Sequence, residues 1–162
     1  MTSPVARLVK CPVITIAALV LLAACASAPP RPVDERARIE SETRHYAEVL
    51  RGAPVDSVVA VYAEDGELVI PGVGTLHGRK AIRDFLAPLA ATVTVASVEM
   101  QVDSVALSGN SAVERGRYRL VAGPTGGPTQ EFRGAFDATW TRGSDTRWRL
   151  LRLVMQPAAR AP

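Results

Sequence analysis

Few side chains in this sequence have the spacing that metal binding or nucleophilic catalysis requires. His45 and His77 are the only histidines, and no His-x-His or His-x-x-x-His pair occurs. A protein metal site needs three or four converging ligands. The Gly-x-Ser-x-Gly turn of a serine nucleophile is absent, and Pro124 interrupts the glycines between Gly123 and Gly127, unlike a phosphate-binding loop. We therefore expect neither a metal nor a cofactor.

Tyr46 and His77 are the residues that could act directly on a bound molecule. The Tyr46 hydroxyl can donate a hydrogen bond into a pocket, although a core tyrosine with a satisfied hydroxyl fits the same position. His77 stands immediately before Gly78, where it could be a general base or a ligand, or could order a turn. Because the sequence identifies no carboxylate as a partner for either residue, an acid–base mechanism stays open.

Three arginines alternate along one segment, at Arg115, Arg117 and Arg119. In a strand they share one face. That face is either an anion-binding surface or the solvated outer side of an antiparallel sheet.

Arg152 is a different case, because strict alternation groups it with Trp148, Leu150 and Val154 on a partly enclosed face. A buried arginine needs an acidic partner. The candidates are Glu99, Glu114 and Glu131. Alternatively, Arg152 binds an acidic group of a ligand.

Cys25 has the most specific context in the chain. Residues 1–10 contain Arg7 and Lys10 but no acid, and the 14 residues 11–24 are uncharged and mostly apolar. A helix of that length rises about 21 Å, less than the hydrocarbon core of about 30 Å, which is typical of a secretory signal peptide. The apolar run ends in Leu-Ala-Ala-Cys and resembles a bacterial lipobox. That resemblance implies a diacylglyceryl group on Cys25, which becomes the mature N-terminus.

This interpretation predicts the organisation and location of the protein. Residues 1–24 form the signal peptide, residues 25–33 the lipidated Cys and a Pro-rich tether, 34–157 the domain, and 158–162 a tail. Lipid on Cys25 would attach the protein to the cell envelope on the periplasmic or extracellular side, with the outer membrane as one option. Loss of the first 24 residues leaves 17 basic against 16 acidic residues, so we expect no nucleic-acid partner.

The periodicity of the domain changes from helical to strand-like near Thr92. Helices are predicted over residues 34–51, from near 56 to 65, and over 79–90. Strands are predicted over 67–70, 75–77, 93–107, 112–122, 129–142 and 147–156. Helices followed by a long antiparallel meander indicate an α+β fold, with three helices packed on one face of a curved sheet. Gly116 and Gly134 are placed to allow that curvature.

Individual residues predict where the second and third helices begin and end. Asp56 or Ser57 would cap the second helix, and Asp65-Gly66 would end it. Pro88 would mark the last turn of the third helix.

Two segments suggest a family. Tyr62-Ala-Glu-Asp-Gly-Glu-Leu-Val69 and a Pro-Gly turn are followed by His77-Gly-Arg-Lys-Ala-Ile-Arg-Asp-Phe-Leu86. Together with Gly116-x-Tyr118, Phe136-x-x-x-Trp140, Gly143 and Trp148, they resemble the NTF2-like superfamily, in its SnoaL-like and ketosteroid-isomerase-like branch. The resemblance spans residues 35–156 and implies a cone-shaped fold with a pocket between the first helix and the concave sheet.

The resemblance also implies where isomerase-type relatives would place catalytic groups. Tyr46 matches the oxyanion tyrosine, whereas the general-base position is occupied by Ile70, which cannot accept a proton. The second acid would fall near Phe136 or Asp137, and alternation turns Asp137 away from Phe136. The pocket candidates are thus Tyr46, Tyr62, Ile70, His77, Phe136, Trp140 and Arg152.

Three functions follow as hypotheses. Loss of the base favours a module that binds a small apolar or amphipathic ligand in the cone, or that dimerises through its sheet as an accessory protein. The alternative is a cofactor-free isomerase, lyase or hydrolase in which Tyr46 acts with His77 or Arg152 and with a carboxylate that the sequence does not identify. The third is a purely structural envelope protein whose partner is another protein.

Overall fold

A computed structural model of the chain describes residues 32–158. Its elements are α1 (Pro32–Leu50), α2 (Val55–Ala60), β1 (Tyr62–Ile70), β2 (Gly74–His77), α3 (Gly78–Thr92), β3 (Val93–Ser108), β4 (Ser111–Pro124), β5 (Gln130–Arg142) and β6 (Trp148–Pro157). The α+β prediction is confirmed. The predicted signal peptide and Cys25 lie outside the described residues, and α1 includes the last two residues of the predicted tether.

The six strands form one sheet in the order β2-β1-β6-β5-β4-β3. Every neighbouring pair is antiparallel except β1 and β6, which run parallel. The helices cover one face, with α1 against β3 and β6 and α3 against β1. The core lies between these layers, and its largest fully buried side chains include Trp140, Tyr62, Phe136, Ile39 and Ile82. Within residues 32–158, no helix combines the length and the hydrophobicity needed to cross a bilayer.

Two glycines on the inner face of the sheet admit aromatic rings from the neighbouring strand. A Cβ at Gly116 would lie 2.6 Å from the Phe136 ring, and one at Gly134 would lie 2.7 Å from the Tyr118 ring. Gly116 pairs with Phe136 and Gly134 with Tyr118 across β4 and β5. Each ring therefore covers the glycine opposite it, which is how close packing is reached at the bend of a curved sheet.

The first strand starts earlier than the sequence predicts. Residues 62–65 are predicted in the second helix, but β1 begins at Tyr62 and irregular pairing with β6 separates Tyr62 from Glu67. Gly66 does not end a helix. It lies in the strand, where a Cβ would come within 2.8 Å of the Leu150 carbonyl oxygen. The Asp-Gly pair thus lies in a stretch of irregular strand pairing, where glycine allows the backbone of β6 to approach.

Two expected helix ends also differ. Neither Asp56 nor Ser57 caps α2. Its N-cap is Pro54, without a side-chain cap bond, and the Asp56 carboxylate forms an ion pair with Arg83. Helix α3 continues past Pro88 to Thr92, whose hydroxyl donates a hydrogen bond to the Pro88 carbonyl.

A bulge in β6 changes which residues face the core. Trp140 pairs with Leu150 and the adjacent Thr139 pairs with Arg152, so Leu151 is an extra residue. Beyond it the alternation is reversed: Leu153 is buried and Arg152 is exposed. The predicted enclosure of Arg152 is therefore wrong.

Candidate functional site

Helix α1 presents polar side chains to the sheet along its buried face. Glu35, Ile39, Thr43 and Tyr46 are spaced by four, four and three residues, and each is at most 7% exposed. This spacing keeps them on one side of a helix. Each of the three polar members reaches a different partner on the strands.

The Tyr46 hydroxyl meets the hydroxyl of Tyr62 at the start of β1. The phenol oxygens are 2.8 Å apart in a hydrogen bond, and the rings meet edge to face with centroids 5.8 Å apart. Burial raises the pKa of Tyr46 to about 12 and raises the pKa of Tyr62 well above its ordinary value. Both phenols are therefore neutral at physiological pH. The structure thus brings together two of the predicted pocket residues, but it closes the space around them.

One turn earlier, Thr43 binds the carboxyl group of Glu114, which is fully buried. Thr43 Oγ1 lies 2.7 and 2.9 Å from the two carboxyl oxygens, and Trp140 Nε1 donates to Glu114 at 2.8 Å. Burial raises the pKa of Glu114, the bonds from Thr43 and Trp140 oppose that rise, and the charge of Glu40 adds to it. The group links α1, β4 and β5.

From the sequence, Glu114 was predicted only as a possible partner for Arg152, and its buried position beside Thr43 and Trp140 was not predicted. Strand alternation held the signal. If Arg115 and Arg117 face solvent, then Glu114 and Gly116 must face the core. A carboxylate among inward-facing residues of a strand is the feature that identifies a buried acid.

A second buried carboxyl group anchors the beginning of α1. Glu35 accepts hydrogen bonds from Trp148 Nε1 at 2.8 Å and from the Arg142 guanidinium at 2.9 Å. Arg142 also lies over the Trp148 ring, 5.4 Å from its centroid, and binds the Asn110 side-chain oxygen. The first described turn of the domain is thus fastened to β5, β6 and the β3–β4 turn.

Some of the remaining predicted pocket residues lie in the core and the others lie on the surface. Phe136 and Trp140 are 1% exposed and form part of the core with Tyr46 and Tyr62, and Ile70 packs against that core. His77 is elsewhere: its side chain is 71% exposed and its Nδ1 lies 3.0 Å from Glu67. Glu67 also forms an ion pair with Arg152. Arg152 therefore has a different acidic partner from the three that the sequence suggested, Glu99, Glu114 and Glu131.

The three alternating arginines of β4 lie on the outer face of the sheet. Arg115 pairs with Asp137, Arg117 with Asp103, and Arg119 with Glu131. Each pair joins β4 to a neighbouring strand. The arrangement is that of a solvated sheet face on which charges are balanced locally.

An apolar cleft of about 440 Å³ opens beside the buried core. The end of α1, helices α2 and α3, and the adjoining ends of β3 and β4 line it. Val49, Val58, Leu86, Val95 and Leu120 are among its walls, and Arg51 is its one charged lining residue. Its volume lies within the range of small-molecule pockets. None of these residues is among the pocket candidates predicted from the sequence, which placed the pocket at Tyr46.

A family model for SnoaL-like domains matches residues 43–149. The chain belongs to the SnoaL-like family. The match covers most of the sequence and begins inside α1, and the predicted resemblance is confirmed. Among curated proteins, none matches the chain.

Solved structures with the same fold come from several bacteria. A ketosteroid isomerase-like protein from Erwinia carotovora is 19% identical, with TM-score 0.70, over 78% of this chain and 98% of the other. An NTF2-like superfamily protein from Salmonella enterica is 17% identical, with TM-score 0.66, over 78% and 93%. An NTF2-like protein with a cystatin-like fold from Novosphingobium aromaticivorans is 20% identical, with TM-score 0.63, over 76% and 81%. At these identities the similarity establishes the fold of the SnoaL-like domain, and function must come from the site itself.

Proposed function

We propose that the SnoaL-like domain binds a small apolar or amphipathic molecule in the cleft between α1, α2, α3 and the sheet. The cleft carries the proposal, because it combines an apolar lining with a volume suited to one small ligand. The dense packing of the cone interior also favours the cleft as the ligand site. Tyr46, Tyr62 and Trp140 are each at most 5% exposed, so side chains fill the position where the sequence resemblance put a pocket.

An acid–base enzyme is the less favoured alternative. Its candidate base is Glu114, since Ile70 occupies the expected position. Thr43 Oγ1 contacts both carboxyl oxygens of Glu114, Trp140 Nε1 binds one of them, and the residue is 0% exposed. A general base must come within hydrogen-bond reach of the proton that it removes. Catalysis would therefore require Thr43 and Trp140 to separate from Glu114.

The test is a thermal-shift panel of apolar and amphipathic compounds on the purified protein. A ligand at 100 times its Kd should stabilise the folded state by about 2.7 kcal/mol. Ala90→Trp should abolish the shift, because Ala90 lines the cleft and is exposed enough to accept an indole that fills it. Ala87→Trp is the control on the same helix, at an exposed position outside the cleft lining. Equal shifts in both variants would contradict binding in this cleft.

We also propose that Cys25 is lipidated and that the domain is attached to the cell envelope. The support is the charged start, the short apolar run and the Leu-Ala-Ala-Cys sequence. More than one acyl chain is needed for stable attachment, and a diacylglyceryl cysteine supplies this. Mass spectrometry of the membrane fraction should find Cys25 acylated, and Cys25→Ser should abolish acylation. An unmodified Cys25 in that fraction would contradict the proposal.

A further inference from the structure

We infer that the molecule held in the cleft is a single-chain carboxylic acid, with its tail among the apolar walls and its carboxylate on Arg51. This inference rests on the proposed ligand-binding function and specifies its ligand class. It depends on three features of the cleft: the kinds of side chain that line it, the exposure of its one charged residue and that residue's lack of an ion pair in the described part of the chain, and its volume.

The lining contains a single charged side chain and no acid. Of the fifteen lining residues, Arg51 is charged, Thr94 carries a hydroxyl, and the others are aliphatic side chains or glycine. An anionic headgroup would therefore meet a cation at the edge and no opposing carboxylate in the lining. A cationic amphiphile would find the opposite arrangement, and a purely apolar molecule would leave the arginine unused.

Arg51 is available for such a contact. It lies directly after α1, its side chain is exposed, and it forms no ion pair within residues 32–158. The arginines on the outer face of β4, by contrast, are paired, as Arg119 is with Glu131. Arginine binds carboxylates with two parallel hydrogen bonds.

Two carboxylates line a separate shallow depression that Arg51 also borders. They are Glu48 and Glu99, and Arg44 lines the same depression. Glu99 already pairs with Arg119, and neither acid lines the apolar cleft. The backbone at this helix end offers no strong alternative for an anion, because the carboxyl end of a helix carries partial negative charge. A bound carboxylate thus depends on the Arg51 side chain.

The volume of the cleft suits a ligand with one aliphatic chain. A cleft of about 440 Å³ lies in the lower half of the range for small-molecule pockets. This suits one aliphatic chain with a small headgroup. A phospholipid with two long acyl chains and a glycerol phosphate needs more room than the cleft has.

The experiment compares decanoate with decanol, which share a chain and differ in charge. Calorimetry on the purified protein at pH 8 and low salt should find tighter binding of decanoate. Arg51→Gln should weaken decanoate binding about fivefold, the size expected of an exposed ion pair, and should leave decanol binding unchanged. Arg44→Gln is the control, since Arg44 is an exposed arginine on the last turns of α1 that does not line the cleft.

The outcomes separate the two proposals. Equal affinity for the acid and the alcohol, or an Arg51→Gln variant that binds decanoate like the parent protein, would overturn the carboxylate inference and leave the ligand site standing. Tighter binding of dihexanoyl phosphatidylglycerol than of decanoate would overturn it in favour of a phospholipid. If neither ten-carbon probe binds and the compound panel gives no shift, the ligand-binding function itself fails.

Discussion

Glu114 places an ionisable group in the most enclosed part of the domain. Its carboxyl group is held by Thr43 and Trp140, and burial raises its pKa. A carboxyl group that is harder to ionise in the folded state than in the unfolded state favours folding while it is protonated. That contribution is complete below the unfolded pKa and is lost as the pH rises through the folded pKa.

Glu114→Gln should remove this pH dependence. The free energy of unfolding of the parent protein should fall, relative to the variant, as the pH rises from about 4.5. The difference grows by about 1.4 kcal/mol for each pH unit until the folded pKa is reached. Urea denaturation between pH 4.5 and 8 measures it. Parallel curves for parent and variant would mean that Glu114 does not titrate in this range.

The Tyr46–Tyr62 pair predicts non-additive substitutions. Tyr46→Phe alone leaves the buried Tyr62 hydroxyl without its partner and should cost about 1–2 kcal/mol of unfolding free energy, and Tyr62→Phe should do the same. The double variant loses both hydroxyls together and should cost less than the sum. Chemical denaturation of all four proteins forms the cycle. Strict additivity would show that the hydroxyls are not coupled.

At the scale of the elements, the glycines opposite aromatic rings hold β4 and β5 together. Gly134→Ala would push a methyl group against the Tyr118 ring and the backbone at Gln156. Overpacking of this kind typically costs about 1–3 kcal/mol. Gly52→Ala is the matched control, because nothing lies within 4 Å of a Cβ there. Thermal unfolding compares them, and equal melting temperatures would refute the packing role of Gly134.

The order and type of the elements were predictable, because their hydrophobic periods are clear and Gly and Pro mark most of the boundaries. The errors in the strands fall where pairing with the neighbouring strand is irregular. Leu151 is an extra residue that reverses the alternation before Arg152, and the irregular pairing around Gly66 made part of β1 look like the end of a helix. A bulge depends on how the neighbouring strand pairs, and a single-strand pattern does not contain that information.

The candidate site was harder to predict for a different reason. Tyr46 and Trp140 were correctly placed among inner residues, but their hydrogen-bond partners come from other elements, Tyr62 on β1 and Glu114 on β4. The cleft is built from aliphatic residues of five elements, none of which looks functional in sequence. Only the assembled structure shows that Arg51 is the one charge among them.

At the scale of the whole molecule, α1 separates two ends of the domain. Its first described turn is fastened through Glu35 to Trp148 and Arg142, and its last turn borders the cleft. Nineteen helical residues span about 28 Å. The point where the chain from Cys25 enters the domain is therefore far from the mouth of the cleft.

Fluorescence quenching can check this geometry when Cys25 carries the proposed lipid. A fluorophore attached at Ala90→Cys marks the mouth of the cleft, and one at Arg36→Cys marks the beginning of α1; both positions are exposed. In vesicles that contain nitroxide-labelled lipids, the Arg36 label should be quenched more strongly than the Ala90 label. The reverse order would place the cleft against the bilayer.

Such an orientation would decide by which route a ligand arrives. A mouth held a helix length above the lipid surface cannot extract hydrophobic molecules directly from the bilayer. It would instead bind molecules that diffuse through the surrounding water. Single-chain acids such as decanoate, unlike long-chain lipids, are soluble enough in water to reach the cleft without a carrier.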